Sequence, residues 1–355
     1  MIEPGGTIGI LGGGQLGRMT ALAAAALGYR CHIFCPEPDS PAKRVTALAT
    51  TADYDDRAAL RSFAAAVDVV TFEFENVPAE TVDLLAALKP VRPGATALRI
   101  AQDRIREKDF LGSIDVATAR YEAVDSADAL ARALRAIGPR GVLKTVRLGY
   151  DGKGQVMIGA ETDPAEAWRR MGADLGILES LVEFVCEISV IVARGADGRW
   201  ASYVPVENQH RHHILDTTIA PARIAPEIAL RAEAIARHVA DRLELVGLLA
   251  VEMFVTVGGE VLVNEIAPRP HNSGHWTIDA CVTSQFEQFV RAICGLPLGS
   301  PERHSDAVMK NLIGDEILRW REALDDPSAK LHLYDKGKPR PGRKMGHVTR
   351  LLSRR

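Results

Sequence analysis

Two glutamates, Glu252 and Glu265, have the residue type and the spacing to bind a metal ion. The dipeptide Gly258-Gly259 lies between them and has the composition of a two-residue hairpin turn. Such a turn places Glu252 directly opposite Glu265, with Cβ atoms about 4.5–5.5 Å apart, where like charges destabilise a sheet. A Mg²⁺ ion between the carboxylates relieves that repulsion, and Mn²⁺ is the alternative ion. An exposed hairpin end with two screened glutamates, or a pair that shares one proton, also fits the spacing.

The segment after Glu265, residues 267–275, is polar and stiffened by proline. Its prolines keep the backbone irregular, while its side chains supply hydrogen-bond donors and a candidate proton carrier. A plain surface turn is the alternative, but the density of polar groups favours the wall of a substrate site. The polar residues are Arg269, His271, Asn272, Ser273 and His275.

Two glycine-rich loops could meet phosphate groups. Residues 12–17 (GGGQLG) follow the first expected strand and open a helix, as in dinucleotide-binding folds. The acidic residue that such folds need comes late, at Glu37, and follows a proline. An NAD site, another anion site and a purely structural turn therefore all remain open for this loop. The second loop, residues 147–154, is basic as well as rich in glycine.

Composition excludes several classes of protein. The length of 355 residues argues for two or three domains. The formal net charge of -3 argues against a protein that coats nucleic acid. No basic stretch followed by an apolar one opens the chain, and the longest apolar run is too short to cross a bilayer. Five cysteines without C-x-x-C spacing suggest buried free thiols. We expect a cytoplasmic protein with no membrane or nucleic-acid partner.

The pattern of apolar residues predicts the elements that position these groups. Over the first hundred residues, short apolar runs alternate with helical patterns, which indicates a parallel sheet covered by helices. Residues 104–185 mix strands and helices around the second glycine loop. From residue 186 we expect strands at 188–193 and 200–206, a helix at 226–243 and the glutamate hairpin, with a strand-rich tail after Pro297. The expected domains are 1–103, 104–185 and 186–355, of combined α/β and α+β class.

Five motifs, in this order along the chain, are similar to those of one enzyme family. They are GILGGGQLG at 9–17, TFEFENVP at 71–78, GYDGKGQ at 149–155, NEIAPRPHNSGH at 264–275 and GRKMGH at 342–347. With them the chain resembles the N5-carboxyaminoimidazole ribonucleotide synthetases, ATP-dependent carboxylases of purine synthesis in the ATP-grasp superfamily. The resemblance covers essentially all residues. It implies a three-domain ATP-grasp architecture with ATP held between the second and third domains.

The resemblance also implies the nucleotide and metal sites. Two cations would contact the ATP phosphates, the second glycine loop would close over them, and two residues between the lobes would flank the adenine. Glu252 and Glu265 would bind Mg²⁺, in agreement with the hairpin spacing. The implied nucleotide-binding residues are Arg104, Lys144, Gly149, Tyr150, Asp151, Gly152, Lys153, Gly154, Gln155, Glu179, Val182, Glu187, His210, Asn264 and Glu265.

For the second substrate, the resemblance implies aminoimidazole ribonucleotide, carboxylated with bicarbonate through carboxyphosphate, in a homodimeric enzyme. Catalytic roles would fall to His271, Asp151, Arg269 and Lys336. Either His271 or Asp151 would accept the proton of the substrate amine, with the liberated phosphate as a rival. The implied substrate-binding residues are Glu73, Tyr150, Asp151, Lys153, Arg269, His271, Asn272, Ser273, Lys336 and Arg343.

Some positions depart from the family pattern. Lys153 stands where an arginine is frequent, and Ala267 stands where broader ATP-grasp enzymes have a metal-binding asparagine. His212 and His213 are interpreted as a chance pair in a loop. Two other functions stay open: a formate-dependent glycinamide ribonucleotide transformylase of the same superfamily, and an NAD-dependent oxidoreductase built on the first glycine loop.

Overall fold

The structure, a computed structural model, describes residues 1–149 and 152–354. Its N-terminal part is a four-stranded parallel sheet in the order β3-β2-β1-β4, as the alternating pattern predicted. The strand β3 was not predicted, because it lies at the sheet edge and its residues are mostly exposed. The elements are β1 (Thr7–Leu11), α1 (Gln15–Ala26), β2 (Arg30–Cys35), β3 (Leu48–Thr51), α2 (Arg57–Ala65), β4 (Val69–Phe72), α3 (Ala79–Ala86) and α4 (Ala95–Ala101).

A second, antiparallel sheet follows, with strand order β5-β8-β6-β7. Two helices cover one of its faces and bury Leu130, Leu143 and Leu178. The elements are α5 (Arg104–Ser113), β5 (Tyr121–Val124), α6 (Ala127–Ile137), β6 (Gly141–Thr145), β7 (Gln155–Ile158), α7 (Pro164–Met171) and β8 (Gly176–Ser180).

Local sequence explains where these helices begin and end. The Asp163 side chain accepts a hydrogen bond from the Ala165 N–H at the start of α7, and Pro164 occupies the first turn, where no N–H is needed. The same helix ends at Gly172, whose φ of 69° is left-handed. Asp56 caps α2 in the same way as Asp163 caps α7.

The remaining chain forms a nine-stranded sheet in the order β14-β13-β9-β11-β12-β15-β17-β16, with β10 paired to β9. The strand-rich tail thus joins the sheet of the hairpin, and the single strand expected at 200–206 is two strands. The elements are β9 (Phe184–Arg194), β10 (Trp200–Ser202), β11 (Val206–Arg211), β12 (Ile214–Ala220), α8 (Pro226–Arg242), β13 (Gly247–Thr256), β14 (Val261–Ala267), α9 (Thr277–Ala280), α10 (Gln285–Cys294), β15 (Asp306–Ile313), β16 (Ala329–Leu333) and β17 (Lys344–Leu352).

The two faces of β9 and β13 pack into different cores. Val190 and Val251 face α8, whereas Ile191 and Ala250 belong to a core that also contains α10 and the N-terminal sheet. Because side chains alternate along a strand, Glu252 points to the side of Ala250. The space that borders this side of the sheet is called the cleft below, and it is open to solvent at Glu265, whose side chain is 39% exposed.

The hairpin turn differs from the prediction. The loop contains three residues, Val257 to Gly259, because the Thr256 N–H donates to the Glu260 carbonyl at 2.9 Å. Only the second glycine, Gly259, has a positive φ, of 78°. The two-residue turn was therefore wrong, and by itself the longer loop would shift the register by one position.

A β-bulge restores the predicted pairing. Asn264 is an extra residue between the pairs Met253–Val263 and Glu252–Glu265. It also reverses which face the following side chains occupy: Val263 packs against α8, and after the bulge Glu265 points to the opposite side, with Glu252. Without the bulge, Glu265 would point into the α8 core. The opposed carboxylates were predicted correctly, from a turn that was not.

The cysteines agree with the expectation from composition. All five cysteines are free, and four of them are buried. Among the described residues, no helix is long and apolar enough to cross a membrane.

Candidate active site

The opposed carboxylates lie at the centre of the candidate site. Arg104, at the start of α5, places its Nη1 3.2 Å from Glu265 Oε2. Burial is the larger cause, and the charge of the neighbouring Glu265 the next, of a rise in the pKa of Glu252 to about 7. Burial also acts to raise the pKa of Glu265, but Arg104 and Lys144 outweigh it, so that its pKa lies below the ordinary value. One carboxylate is thus stabilised as an anion while the other is poised to hold a proton.

The chemistry of this pair fits a divalent cation. Two facing carboxylates on rigid strands are the donor set that Mg²⁺ takes from proteins, with water or phosphate oxygens completing its shell. Within residues 1–149 and 152–354, the buried Asn264 Oδ1 beside them has no hydrogen-bond partner. Within the described part of the chain, no group of three or more His, Cys, Asp or Glu side chains is arranged to hold a metal. A hydrated ion bound by Glu252 and Glu265 therefore fits better than a fully protein-ligated one.

A buried group of charges connects the second and third sheets. Lys144 on β6 donates to Glu179 Oε2 on β8 at 2.9 Å, and the Lys108 ammonium lies 3.9 Å from the same oxygen. Burial acts to raise the pKa of Glu179, but Lys144 and Lys108 bring it below its usual range. The other oxygen of Glu179, Oε1, is buried and has no hydrogen-bond partner among the described residues. It is an acceptor available to a ligand.

Helix α5 supports strand β14, which carries Glu265, from outside the sheet. Glu107 Oε1 accepts from the Ile266 N–H at 2.6 Å, and Lys108 donates to the Asn264 carbonyl at 2.7 Å. These side chains replace the ladder hydrogen bonds that an edge strand lacks. Sequence reasoning missed both residues. Their spacing of three and four positions from Arg104 was a usable signal, because it puts all three on one helix face.

Glu187 and His210 form a second polar pair on the cleft side. His210 Nδ1 lies 3.0 Å from Glu187 Oε2, across neighbouring strands β9 and β11. Burial acts to lower the pKa of His210, but the hydrogen bond and charge of Glu187, with the charge of Glu252, raise it above the ordinary value. Both residues were predicted at the nucleotide site, and the structure brings them to the face that carries Glu252.

The second glycine loop lies against the candidate nucleotide groups. The Gly149 carbonyl accepts from Arg104 Nη2 at 3.4 Å, and the Thr145 N–H donates to the Gly154 carbonyl at 2.7 Å. Two of the predicted loop residues, Tyr150 and Asp151, lie outside the described residues. Lys153 lies in this loop, and Val182 follows β8 in the segment between the lobes.

The histidine pair that was interpreted as accidental lies against this loop. His212 and His213 have φ values of 51° and 64° and form the two-residue turn between β11 and β12. Gln155 Nε2 lies 3.2 Å from His213 Nδ1. A Cβ on Gly152 would stand 2.6 Å from the Cβ of His213, so this loop position requires glycine.

A carboxylate of the protein itself binds to the backbone of the first glycine loop. The carboxylate of Glu73, at the end of β4, accepts from the Gly14 N–H and, at 2.7 Å, from the Gly17 N–H. The positive end of α1 is therefore neutralised internally. Burial raises the pKa of Glu73 above its ordinary value, although both backbone donors act to lower it. The loop has a structural role in this state, one of the alternatives left open.

The predicted substrate-binding cations meet near Glu73. Lys336 donates to the Gln15 side chain at the start of α1, and Arg343 Nη1 donates to the Lys336 carbonyl at 3.0 Å. Arg269 pairs with Glu75, its Nε lying 2.7 Å from Oε1. The basic C-terminal stretch thus reaches the N-terminal sheet, more than 250 residues away in sequence.

The proline-stiffened segment is only partly a wall of the cleft. Asn272 is nearly buried, and its amide atoms have no hydrogen-bond partner in the part of the chain that the structure describes. Ser273 is fully buried, and its hydroxyl contacts Ser189 and His271. His275 is also fully buried, with its ring 4.9 Å from that of His347. The structure therefore does not bring Ser273 and His275 to the cleft surface. His271 does reach the carboxylates, with Nε2 3.3 Å from Glu252 Oε1.

Comparisons with known proteins agree over the whole chain. Family models match a ribonucleotide synthetase preATP-grasp domain at residues 6–102, an ATP-grasp domain at 109–286 and a phosphoribosylaminoimidazole carboxylase C-terminal domain at 307–355. The N5-carboxyaminoimidazole ribonucleotide synthase of Brucella melitensis is 49% identical, over 99% of this chain and 98% of the relative. The chain spans only 37% of a longer relative, the bifunctional purine synthesis protein purC/E of Dictyostelium discoideum, at 47% identity.

Solved structures give the same result. An ADP complex of an N5-carboxyaminoimidazole ribonucleotide synthetase superposes with a TM-score of 0.97 at 44% identity, covering 100% of this chain and 94% of the other. The Aspergillus clavatus synthase in complex with ADP and 5-aminoimidazole ribonucleotide has a TM-score of 0.93 at 32% identity, covering 98% and 94%. The chain therefore belongs to the N5-carboxyaminoimidazole ribonucleotide synthase family of ATP-grasp enzymes.

Proposed function

We propose that this chain is an ATP- and bicarbonate-dependent ligase that carboxylates the exocyclic amine of 5-aminoimidazole ribonucleotide. The products are N5-carboxyaminoimidazole ribonucleotide, ADP and phosphate, in purine biosynthesis. The opposed pair Glu252–Glu265, with Arg104 at 3.2 Å, carries the proposal, because it combines a cation site with a phosphate-binding cation. The family names and the solved ADP and ribonucleotide complexes support the choice of substrates.

The residues around the carboxylates have the chemistry that nucleotide binding needs. Arg104 and Lys144 are the candidates for the ATP phosphates, and the unpartnered Oε1 of Glu179 is an acceptor for the adenine amino group. Val182 would pack on the base. Glu187 would accept from the ribose hydroxyls with His210 beside it, and the remaining candidates, Asn264 and the loop residues from Gly149 to Gln155, would surround the phosphates.

The ribonucleotide site would lie between the first and third parts of the chain. Lys336 and Arg343 lie beside the start of α1 and would bind the substrate 5′-phosphate, with Arg269 and Lys153 lining the same cleft. Asn272 offers amide atoms that have no hydrogen-bond partner among the residues described. Glu73 would act from beneath this site by holding the α1 N-terminus, because both of its oxygens bind backbone N–H groups.

The geometry supports a phosphoryl-transfer mechanism. Bicarbonate is a poor electrophile, and transfer of the γ-phosphoryl group of ATP converts it into carboxyphosphate, which releases CO₂ for attack by the substrate amine. Mg²⁺, when bound, supplies charge neutralisation for the moving phosphoryl oxygens. Arg104 and Lys144 add positive charge at the same place, and closure of the glycine loop excludes water. We also infer a cytoplasmic homodimer with domain boundaries near residues 103 and 185.

A coupled assay of ADP release tests the proposal. We expect ADP to form only when aminoimidazole ribonucleotide and bicarbonate are both present. Dependence on formate and glycinamide ribonucleotide would instead identify a transformylase, and an absorbance change with NAD(P)H an oxidoreductase. Either result would overturn the proposed reaction.

A paired substitution on the hairpin tests the metal site. Glu265→Gln should abolish turnover and leave the circular dichroism spectrum unchanged, since it removes a cleft carboxylate without changing side-chain size. Glu260→Gln, on the exposed turn of the same hairpin, is the matched control and should turn over normally. Robust Mg²⁺-dependent turnover by Glu265→Gln would refute the assignment.

A further inference from the structure

The two ring nitrogens of His271 have partners of opposite kinds. Nδ1 lies 3.4 Å from the backbone N–H of Ser273 and 2.9 Å from the Ser273 hydroxyl. A backbone N–H can only donate, so Nδ1 accepts and carries no hydrogen. Nε2 lies 3.3 Å from Glu252 Oε1, an atom that accepts when the carboxyl group is ionised. The ring therefore has its hydrogen on Nε2, the ring nitrogen that lies beside Glu252.

A chain of buried hydrogen bonds sets the direction of the Ser273 hydroxyl. Thr218 Oγ1 donates to Asn208 Oδ1 at 3.1 Å, which directs the Asn208 amide group toward Ser189 Oγ at 2.9 Å. The Ser189 hydroxyl then donates to Ser273 Oγ at 2.7 Å. Because Ser273 accepts from Ser189, its single hydroxyl proton is left for His271 Nδ1.

Burial makes this order robust. Ser189, Thr218 and Ser273 have no exposed surface, and Asn208 is 5% exposed. Water cannot offer these groups alternative partners, and reversing one bond would leave a buried donor or acceptor without a partner, which costs about 1–3 kcal/mol. The strands β9, β11 and β12 hold three of the four residues in fixed positions.

We propose that His271 is a positioning residue for Glu252: a neutral imidazole, oriented by the chain Thr218–Asn208–Ser189–Ser273, that donates its Nε2–H to Oε1. The proposal rests on the metal role of Glu252 inferred above. Carboxylates that bind a metal are commonly oriented by a hydrogen bond from a residue that does not itself bind the metal, and His271 would supply that hydrogen bond to Glu252. The same geometry removes His271 as the proton acceptor for the substrate amine, because Nδ1 has two donors and Nε2 carries a hydrogen. It also removes the ring as a third metal ligand.

Nitrogen NMR of the protein without metal or substrate tests the tautomer directly. Protein labelled with ¹⁵N in its ten histidines is recorded at pH 8, and the His271 signals are identified by their loss in His271→Gln. We expect a protonated Nε2 and an unprotonated Nδ1. In Ser189→Ala, which breaks the chain without touching the ring, Nδ1 should stay unprotonated but its chemical shift should move toward that of a nitrogen without a hydrogen bond, because only the Ser273 backbone N–H remains a fixed donor. A hydrogen on Nδ1, or a ring protonated on both nitrogens, would overturn the proposal. This measurement does not depend on the reaction, so it stands even if the proposed substrates are wrong.

Substitution at position 271 separates positioning from proton transfer. Glutamine can place an amide N–H near the position of Nε2 but cannot accept a proton at neutral pH, whereas alanine does neither. We expect His271→Gln to bind Mn²⁺ within a few-fold of the wild-type affinity and to keep measurable turnover, and His271→Ala to lose about 10–100-fold in Mn²⁺ affinity. Equal loss of turnover in both folded variants, with Mn²⁺ affinity unchanged in both, would show proton transfer instead. His304→Gln, at an exposed histidine, is the matched control.

Discussion

In the metal-free protein, Glu252 should carry a proton below about pH 7 and lose it when a divalent cation binds. Burial and the adjacent Glu265 raise the pKa of Glu252 to about 7. Glu265 stays ionised, because Arg104 and Lys144 lower its pKa despite burial. The pair therefore holds about one proton at pH 6 and, on average, about half a proton at pH 7. A cation that needs both carboxylates ionised must displace that proton.

The expected size of the effect follows from the pKa. With a pKa of about 7, Glu252 is protonated in roughly nine molecules of ten at pH 6, in half at pH 7 and in one of ten at pH 8. Since only the ionised form binds the cation, the apparent affinity should fall about tenfold from pH 8 to pH 6, or about 1.4 kcal/mol. Acidification weakens binding, because protonation competes with the cation for the same oxygens.

Two measurements follow the same proton. Infrared spectra between pH 6 and pH 8 report the carbonyl band of a protonated carboxyl group, and the difference between wild type and Glu252→Gln isolates Glu252. Electron paramagnetic resonance measures Mn²⁺ affinity over the same range without nucleotide. Glu107→Gln is the control, because burial raises the pKa of Glu107 to about 8. That variant should lose its own band yet keep the pH dependence of Mn²⁺ binding.

A flat result would refute the reasoning. If the difference spectrum shows no protonated carboxyl group at pH 6, the opposed register does not produce a shared proton. If Mn²⁺ affinity is constant from pH 6 to pH 8 while binding still requires Glu252, the cation does not use an ionised pair. Either finding would remove the electrostatic basis for the metal site.

Three further outcomes test the supporting structure. Glu73→Ala should lower the free energy of unfolding by about 2–4 kcal/mol, because two backbone N–H groups at the start of α1 lose their acceptor, whereas the exposed Glu80→Ala should change it little in the same denaturant titration. Lys108→Met should weaken ADP binding in calorimetry, since it leaves the Asn264 carbonyl without its ammonium donor; unchanged affinity would show that α5 does not support the site. Burial keeps the pKa of His347 well below 6.5, so its neutral form stabilises the fold above pH 6.5 and that contribution is lost on acidification. Wild type should therefore lose about 1.4 kcal/mol more than His347→Gln between pH 7.5 and pH 5.5, and equal losses would contradict it.

Local pattern predicted much of the N-terminal part. Strand and helix alternation from β1 to α3 is visible because each apolar run or helical period reports its own burial. The edge strand β3 escaped notice because an exposed strand has no such pattern. The starts of α2 and α7 were predictable because the capping residues, Asp56 and Asp163, immediately precede each helix in the sequence.

The site was predictable only where its residues are close in sequence or belong to a motif. Glu252 and Glu265 are joined by one hairpin, so their pairing followed from spacing, although the turn and the bulge at Asn264 both differed from expectation. Ser189 and Asn208 gave no signal. Each is an ordinary strand residue until the sheet places it beside Ser273, which lies 84 residues from Ser189.

The sequence by itself determined the order of the motifs, the family and the pair of opposed glutamates, because these depend on residue type and on short spacings along one chain segment. Only the tertiary structure decided that Glu73 occupies the first glycine loop, that α5 supports the edge of β14, and that His271 receives an ordered chain of hydrogen bonds. Those contacts join residues far apart in the chain, and their geometry depends on sheet register and burial. The role of a polar side chain in these contacts depends on which hydrogen-bond donors and acceptors surround it, and residue spacing along the sequence does not specify them.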